Sequence, residues 1–139
     1  MLVISISKKI KEMNSNYMFL NLEDNIYFLG LRNDVNKIVN DMDLFIMPSI
    51  YEGLGLVLLE AQAASVPCLV SEAIQPEADL GIGLLKKLKL SDDIGKWTEK
   101  ANEMIKINKK DKEIIIKGFE DKGYKVEDII NKLYEVYCI

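Results

Sequence analysis

The sequence contains no histidine, and this absence removes a whole group of chemistries. A histidine general base, a histidine metal ligand and a Ser/His or Cys/His catalytic pair are all excluded. The two cysteines, Cys68 and Cys138, are too few for a disulfide framework or a four-cysteine zinc site. So few cysteines indicate a reducing, cytoplasmic setting.

An excess of basic residues and a long hydrophobic run are also missing. Lys and Arg number 18 against 22 Asp and Glu, and a formal net charge of −4 argues against a nucleic-acid partner, which needs a clustered basic face. The apolar start, residues 1–6, is too short for a membrane span, and a strand explains it better than a signal peptide. Two lysine pairs, Lys86-Lys87 and Lys109-Lys110, read either as solvated faces or as groups that favour an anionic membrane surface. The expected location is the cytoplasm, with at most peripheral contact at the inner face of the membrane.

What the sequence does have is the composition of a globular domain. Its 139 residues are 49% hydrophobic and 29% charged, and they show no internal repeat, low-complexity tract or flexible linker. That length is typical of one domain and is sufficient for a buried core. We therefore predict a single domain over residues 1–139.

Short apolar runs alternate with helical periodicity through the first two thirds of the chain. Strands are predicted at residues 25–29, 43–47 and 67–70. Helices are predicted between them, one beginning at an Asn33 cap and one over residues 56–64. Strands that are apolar on both faces belong in a parallel sheet covered by helices. The alternation therefore predicts an α/β fold, a doubly wound, Rossmann-like parallel sheet with helices on both faces.

The last third of the chain is predicted to be helical. Ser91 can cap a helix that has Asp92 and Asp93 in its first turn, where the helix dipole favours acidic side chains. Near the end, six residues at helical spacing form a wide apolar stripe: Val126, Ile129, Ile130, Leu133, Tyr134 and Tyr137. A stripe of that width requires a partner surface. The tyrosines and Trp97 are predicted to lie in the core, and Cys68 to be a small buried hydrophobic residue.

Residues 48–55 run from a predicted strand into a predicted helix, at the edge of the sheet where parallel α/β proteins bind ligands. Gly53 and Gly55 let the backbone approach a ligand closely and adopt unusual dihedral angles. Free N–H groups at the start of the Leu56 helix can receive a diphosphate or another anion. The alternative is a turn that binds nothing.

Two carboxylates flank this turn. Glu60 lies in a helix that is apolar on nearly every side, and no Lys or Arg occurs between Asn40 and Ile82 to pair with it locally. A buried carboxylate needs several donors, and the vicinal hydroxyls of a ribose would suit its two oxygens. Glu52 precedes Glu60 by eight residues, which places the two carboxylates on the order of 10 Å apart. The alternative for Glu60 is a solvated position at the edge of the helix.

This spacing resembles the Glu-x7-Glu signature of the retaining glycosyltransferases of family 4, which have the GT-B fold. The segment that carries it is Glu52-Gly53-Leu54-Gly55-Leu56-Val57-Leu58-Leu59-Glu60-Ala61. The flanks are similar too, with Phe28–Val35 and Asp43–Ser49 upstream and Glu60–Pro67 downstream. Leu88–Ser91 with Lys96-Trp97, and Gly123-Tyr124 before the last helix, resemble the capsular and exopolysaccharide-synthesis branch. The resemblance extends roughly from Leu22 to the C-terminus.

The resemblance implies a donor site for a nucleotide-sugar, a UDP-sugar above all, and no bound metal or other cofactor. By matching position, Glu52 is the catalytic candidate that contacts the donor sugar, and Glu60 contacts the ribose hydroxyls. The backbone of four residues would line the sugar and the diphosphate: Gly53, Leu54, Gly55 and Leu56. Two positions depart from the pattern, since many relatives have Pro or another residue at Gly55 and Gly at Ser65.

The family also has parts with no counterpart in this sequence. Its other Rossmann-like domain, which holds the acceptor, is missing, and the glycine-rich turn and basic diphosphate ligands at the start of the donor domain have no clear match. Lys8 and Lys9 are either diphosphate ligands or a solvated helix start, and Arg32 either reaches the cleft or serves a surface ion pair. Glu77 matches an acidic position whose role is unassigned.

The resemblance therefore implies the donor-binding portion of a hexosyltransferase in polysaccharide biosynthesis, inactive as this chain alone. One alternative is a non-catalytic nucleotide-sugar-binding subunit, which would join a homo-oligomer or a separate acceptor-domain partner through the C-terminal helix. The other alternative is an inactive remnant of the fold.

Overall fold

The computed structural model describes residues 2–4 and 25–137, and the chain falls into two compact units, Met1–Ile38 and Val39–Ile139. In the first unit, strand β1 (Leu2–Ile4) pairs in parallel with strand β2 (Ile26–Phe28), with Val3 opposite Tyr27. The single-domain assignment stays a prediction.

Helix α1 (Val35–Asn40) follows β2 and crosses the boundary between the units. The backbone amides of Lys37 and Ile38 both donate to the carbonyl of Asp34, so the helix begins one residue later than the Asn33 cap predicted. The Asp34 side chain accepts two hydrogen bonds of 2.7 Å from the guanidinium of Arg32. These bonds lower the pKa of Asp34 from its ordinary value, and they assign Arg32 to an exposed ion pair.

The second unit is built on a three-stranded parallel sheet in the order β3 (Phe45–Met47), β4 (Cys68–Ser71), β5 (Leu85–Leu88). Helix α2 (Leu56–Ala63) connects β3 to β4, and a short 3-10 helix (Pro76–Ala78) lies between β4 and β5. Three helices follow the sheet: α3 (Ile94–Met104), α4 (Lys112–Asp121) and α5 (Val126–Tyr137).

The core of this unit is centred on β4. All four of its residues are buried, and successive strand side chains point to opposite faces, so both faces of the strand are covered. Cys68 and Val70 lie in one apolar cluster with Leu58 and Ala61 of α2, and α3 also packs against β4. The predicted parallel sheet flanked by helices is confirmed.

Cys68 is the small buried hydrophobic residue that the sequence predicts. It is fully buried, and its thiol donates a 3.4 Å hydrogen bond to the carbonyl of Val66. Burial raises the pKa of Cys68 to about 12, with a smaller contribution from the charge of Asp79. The thiol is therefore neutral and unreactive at ordinary pH.

Some local predictions are wrong. Helix α3 is capped by Asp93, whose side chain accepts from the Lys96 amide, and not by Ser91. The aromatic side chains are mostly not core: Trp97 is half-buried, and three tyrosines are half or more exposed, namely Tyr27, Tyr51 and Tyr134. Strand β5 was not predicted at all.

Helix α5 carries the predicted apolar stripe without burying it. Every residue from Val126 to Val136 is exposed, including Ile130 at 44% and Leu133 at 51%. Among the described residues, no helix combines the length and the apolar character that a membrane crossing requires.

Candidate functional site

The loop from β3 to α2 is held at the carboxyl edge of the sheet by a hydrogen bond between two serines. Ser71, the last residue of β4, is fully buried, and its hydroxyl donates to the carbonyl oxygen of Ser49 at 2.5 Å. Because parallel strands end at the same edge, this contact places the loop where the open α/β architecture binds ligands.

Glu52 lies in this loop with its carboxylate half-buried. Its Oε1 atom accepts a 3.2 Å hydrogen bond from the hydroxyl of Ser49. Its Oε2 atom accepts no hydrogen bond from any residue that the structure describes, so one oxygen is held and the other is available to a ligand.

Gly55 makes the turn from loop to helix. Its φ of 67° and ψ of 53° lie in the left-handed region, and its carbonyl accepts from the Leu58 amide at 2.8 Å. An added Cβ would lie 3.2 Å from Cδ1 of Leu58. Both features favour glycine at this position, where the sequence departs from the pattern of the family that it resembles.

The first turn of α2 has backbone donors without acceptors. Gly55 supplies no side-chain cap, and within residues 25–137 the N–H groups of Leu56 and Val57 have no hydrogen-bond acceptor. The other predicted backbone contributors surround them, with Gly53 and Leu54 exposed and Gly55 half-buried. Free N–H groups and the positive end of the helix dipole make this point suitable for a diphosphate.

Glu60 is exposed, which corrects the expectation of a buried carboxylate. It lies on the outer face of α2 with Leu56 and Ala63, which are also exposed, while the helix buries Leu58, Leu59, Ala61 and Gln62. The helix is apolar on both faces, so apolar neighbours did not mark the buried side. In the described part of the chain the Glu60 carboxylate has no hydrogen-bond or ion-pair partner, which leaves both of its oxygens open.

Gln62 is a residue of this helix that sequence reasoning missed. Its side chain is fully buried, and its amide nitrogen donates to the carbonyls of Leu58 at 3.0 Å and Ala78 at 2.7 Å. Its amide oxygen accepts from the Leu80 amide at 3.1 Å. These bonds join α2 to the segment after the 3-10 helix, so they fix the rotation of the helix that carries Glu60.

The C-terminus of α2 ends in a Schellman motif centred on Ser65. The Ser65 amide donates to Gln62 and the Val66 amide donates to Ala61, both at 2.9 Å, while Ser65 itself has a φ of 58°. A glycine normally takes this left-handed position. Here the serine hydroxyl accepts a 2.6 Å hydrogen bond from the backbone amide of Lys110, which links α2 to the segment before α4.

Gly123-Tyr124, one of the branch-like motifs, forms a second such helix end. Gly123 has a φ of 73° after α4, and the Tyr124 ring meets Phe119 edge-on with centroids 6.1 Å apart. The Tyr124 hydroxyl donates to the carbonyl of Glu77 at 3.0 Å. The 3-10 helix after β4 is therefore bonded both to Tyr124, which follows α4, through Glu77, and to α2, through Ala78.

A parallel α/β sheet with a glycine turn, free helix amides and open carboxylates beyond its carboxyl edge is an arrangement that nucleotide-binding α/β proteins share. The model of the family described as glycosyl transferases group 1 matches residues 3–106 of this chain. This chain therefore belongs to the group 1 glycosyltransferase family. The match begins well before Leu22, which corrects the expected extent of the resemblance.

Curated relatives agree with the family assignment. The chain is 35% identical over 119 residues to EpsF of Bacillus subtilis, which is named a glycosyltransferase, and 32% identical over 127 residues to the protein CapJ of Staphylococcus aureus. These matches cover 86% and 88% of this chain and 31% of each relative. It is also 36% identical over 70 residues to a UDP-Gal:alpha-D-GlcNAc-diphosphoundecaprenol alpha-1,3-galactosyltransferase of Escherichia coli, covering 50% of this chain and 18% of that enzyme.

The chain thus spans about a third of the length of EpsF and CapJ. Lys8 and Lys9, the two candidate diphosphate ligands, lie outside the described residues. Within those residues, no group of three Cys, Asp or Glu side chains is placed to hold a metal ion.

Proposed function

We propose that this chain forms the donor-binding part of a retaining, nucleotide-sugar-dependent hexosyltransferase of polysaccharide biosynthesis. The observation that supports it most is the arrangement at the start of α2, where free amides lie between two carboxylates with unengaged oxygens. The UDP-galactose in the name of the Escherichia coli relative favours a UDP-hexose as donor.

Each part of the turn has one role in this proposal. The amides of Leu56 and Val57 bind the diphosphate, Glu60 accepts hydrogen bonds from the two ribose hydroxyls, and Glu52 accepts one from a hydroxyl of the sugar. The bond from the anomeric carbon to the diphosphate oxygen breaks while the oxygen of an acceptor hydroxyl forms a new bond on the same face of the sugar, and the hydroxyl proton passes to the leaving nucleoside diphosphate. The helix N-terminus stabilises the negative charge that develops on the leaving diphosphate, and no metal is required.

The chain alone is expected to be inactive. A helix terminus supplies roughly half a positive charge, which does not balance a leaving diphosphate, and no Lys or Arg occurs between residues 40 and 82. An open site also admits water to the reacting centre. Sugar transfer to any acceptor by the purified chain would contradict this part of the proposal.

Binding tests the proposal directly. UDP and UDP-hexoses should raise the melting temperature of the chain, because a ligand at a hundredfold excess over its Kd stabilises the folded state by about 2.7 kcal/mol. Glu60→Ala should abolish the shift, and Glu99→Ala, which removes an exposed helical carboxylate of α3, should keep it. If UDP, UDP-hexoses and GDP-hexoses all fail to shift the wild type at millimolar concentration, the chain is not a donor-binding module.

A second candidate function is a subunit that completes an enzyme with a partner chain, and helix α5 favours it. All side chains from Val126 to Val136 are exposed, and a helix of twelve residues is marginal in water without a packed face. A homo-oligomer or a separate acceptor domain would cover the stripe. Sedimentation velocity should show that the chain assembles. Ile130→Glu should disrupt this assembly, and Asn131→Glu, the neighbouring residue in sequence, should leave it intact. A wild-type chain that is strictly monomeric counts against self-association.

A further inference from the structure

We infer that Ser71 and Ser49 are positioning residues that orient the Glu52 carboxylate toward the sugar of the donor. This rests on the proposed function, and it adds two hydroxyls to which the Glu-x7-Glu resemblance gives no role. Neither serine is placed against the ligand. Both act through Glu52.

Ser71 anchors the two hydrogen bonds that lead to Glu52, because its position in the sheet is fixed. It is the last residue of the central strand β4, it is fully buried, and it pairs with Leu88 of β5. Its hydroxyl reaches across 22 residues of sequence to the carbonyl of Ser49 at 2.5 Å. A buried hydroxyl on the middle strand of a sheet has little freedom, so it provides a rigid attachment for the loop.

Ser49 transmits this position to the carboxylate. Its own hydroxyl donates to Oε1 of Glu52 at 3.2 Å, a long bond for two oxygen atoms that still sets the direction of the carboxylate. The bond occupies one oxygen of Glu52 and thereby turns the other, Oε2, away from Ser49.

Packing contributes little to the position of the middle of this loop. Ile50 and Tyr51, which lie between the two bonded residues, are 87% and 81% exposed, and an added Cβ on Gly53 would meet nothing within 4 Å. The two serine hydrogen bonds are the side-chain hydrogen bonds of residues 49–53 within the described part of the chain, so the geometry of Glu52 depends on them.

The expected consequence is selective, because the proposed function assigns Glu52 to the sugar and not to the nucleotide. Loss of the serine hydroxyls should weaken the binding of a UDP-hexose and leave the binding of UDP unchanged. Loss of Glu60 should weaken both ligands. If the serines acted on stability alone, their loss would not change the ratio of the UDP-hexose affinity to the UDP affinity.

Isothermal titration of UDP, UDP-glucose and UDP-galactose against the full chain tests the inference. Ser49→Ala should lower the affinity for the preferred UDP-hexose about threefold to tenfold, as expected for the loss of one hydrogen bond, and change that for UDP by less than about twofold. Ser49→Thr keeps the hydroxyl and should restore the wild-type ratio. Ser91→Ala, an exposed serine before α3, is the matched control and should bind as wild type.

The outcomes separate the two proposals. If the wild type binds UDP and a UDP-hexose but Ser49→Ala leaves their ratio unchanged, or weakens both equally, the positioning role is wrong and the donor site stands. If the wild type binds no nucleotide at all, the proposed function fails and this inference fails with it. Ser71→Ala should repeat the effect of Ser49→Ala, and if it does not fold, Ser49→Ala decides alone.

Discussion

The side-chain nitrogen of Gln62 lies 2.7 Å from the carbonyl oxygen of Ala78, in the interior of the second unit. This bond joins α2 to the 3-10 helix across 16 residues of sequence. The apolar neighbours of Gln62 on α2 stabilise the packing of the helix but allow several rotations about its axis. The three hydrogen bonds of the Gln62 side chain are directional, so they determine which rotation the helix adopts.

Replacing Gln62 tests that account. Gln62→Met has a similar length but leaves the Ala78 carbonyl and the Leu80 amide without their side-chain partner in a buried place, so the free energy of unfolding should fall by roughly 3 kcal/mol. Urea denaturation followed by circular dichroism measures the change. Gln75→Met, at an exposed position, is the control and should alter stability by less than about 0.5 kcal/mol. Equal effects of the two substitutions would contradict a special role for Gln62.

Ser65 combines a strained backbone with a useful hydroxyl, and two substitutions separate them. Ser65→Ala keeps the left-handed φ of 58° and loses the bond from Lys110, so it should destabilise the chain by about 1–2 kcal/mol. Ser65→Gly loses the same bond but relieves a strain of about 1 kcal/mol, so its net effect should be small. Thermal unfolding should therefore rank Ser65→Gly above Ser65→Ala. The reverse order would show that strain at this position is negligible.

Gly55 and Gly53 form a matched pair in the candidate site. Gly55→Ala places a Cβ at a φ of 67° and 3.2 Å from Leu58, which should cost about 1–2 kcal/mol of unfolding free energy and distort the first turn of α2. Gly53→Ala meets no atom within 4 Å and should leave stability nearly unchanged. Chemical denaturation of both variants checks this, and a destabilised Gly53→Ala with an unaffected Gly55→Ala would contradict the assigned backbone geometry.

Cys68 predicts an alkaline loss of stability. Burial raises its pKa from 9.0 to about 12, so above pH 9 the unfolded chain ionises this thiol while the folded chain does not. Stability is therefore unaffected below about pH 9 and falls as the pH rises from there toward 12, by up to about 1.4 kcal/mol per pH unit. Between pH 8 and pH 10 the wild type should lose about 1 kcal/mol more than Cys68→Ala, measured by urea unfolding. Parallel losses in both proteins would exclude the thiol as the source.

The local features of the site could be predicted from the sequence, but its tertiary contacts could not. The start of α2 at Leu56 follows from its glycine turn, because turn chemistry acts over a few residues. The partners of Gln62 come 16 and 18 residues later, and nothing in the sequence pairs them. The bond from Ser71 to Ser49 is missed for the same reason, since it forms only when two strands end at one edge.

The remaining errors have a similar cause. Strand β5 has Lys86 and Lys87 next to each other between leucines, which breaks the alternation that marks a half-buried strand. Residues Ser91, Asp92 and Asp93 can all cap a helix, and the choice of Asp93 depends on where the chain leaves β5. For Glu60, the helix is apolar on nearly every side, so the sequence did not show which face is covered.

Hydrogen exchange in helix α5 should show whether its apolar stripe is covered by a partner. Its amides are protected from hydrogen exchange only by a local helix–coil equilibrium, whereas those of the buried strand β4 exchange only when the whole second unit opens. Slow deuterium uptake in residues 126–137 therefore indicates that a partner covers the apolar stripe, and fast uptake indicates that the stripe is exposed to solvent. The rate at this one helix measures the free energy with which any partner holds it, without knowledge of what that partner is.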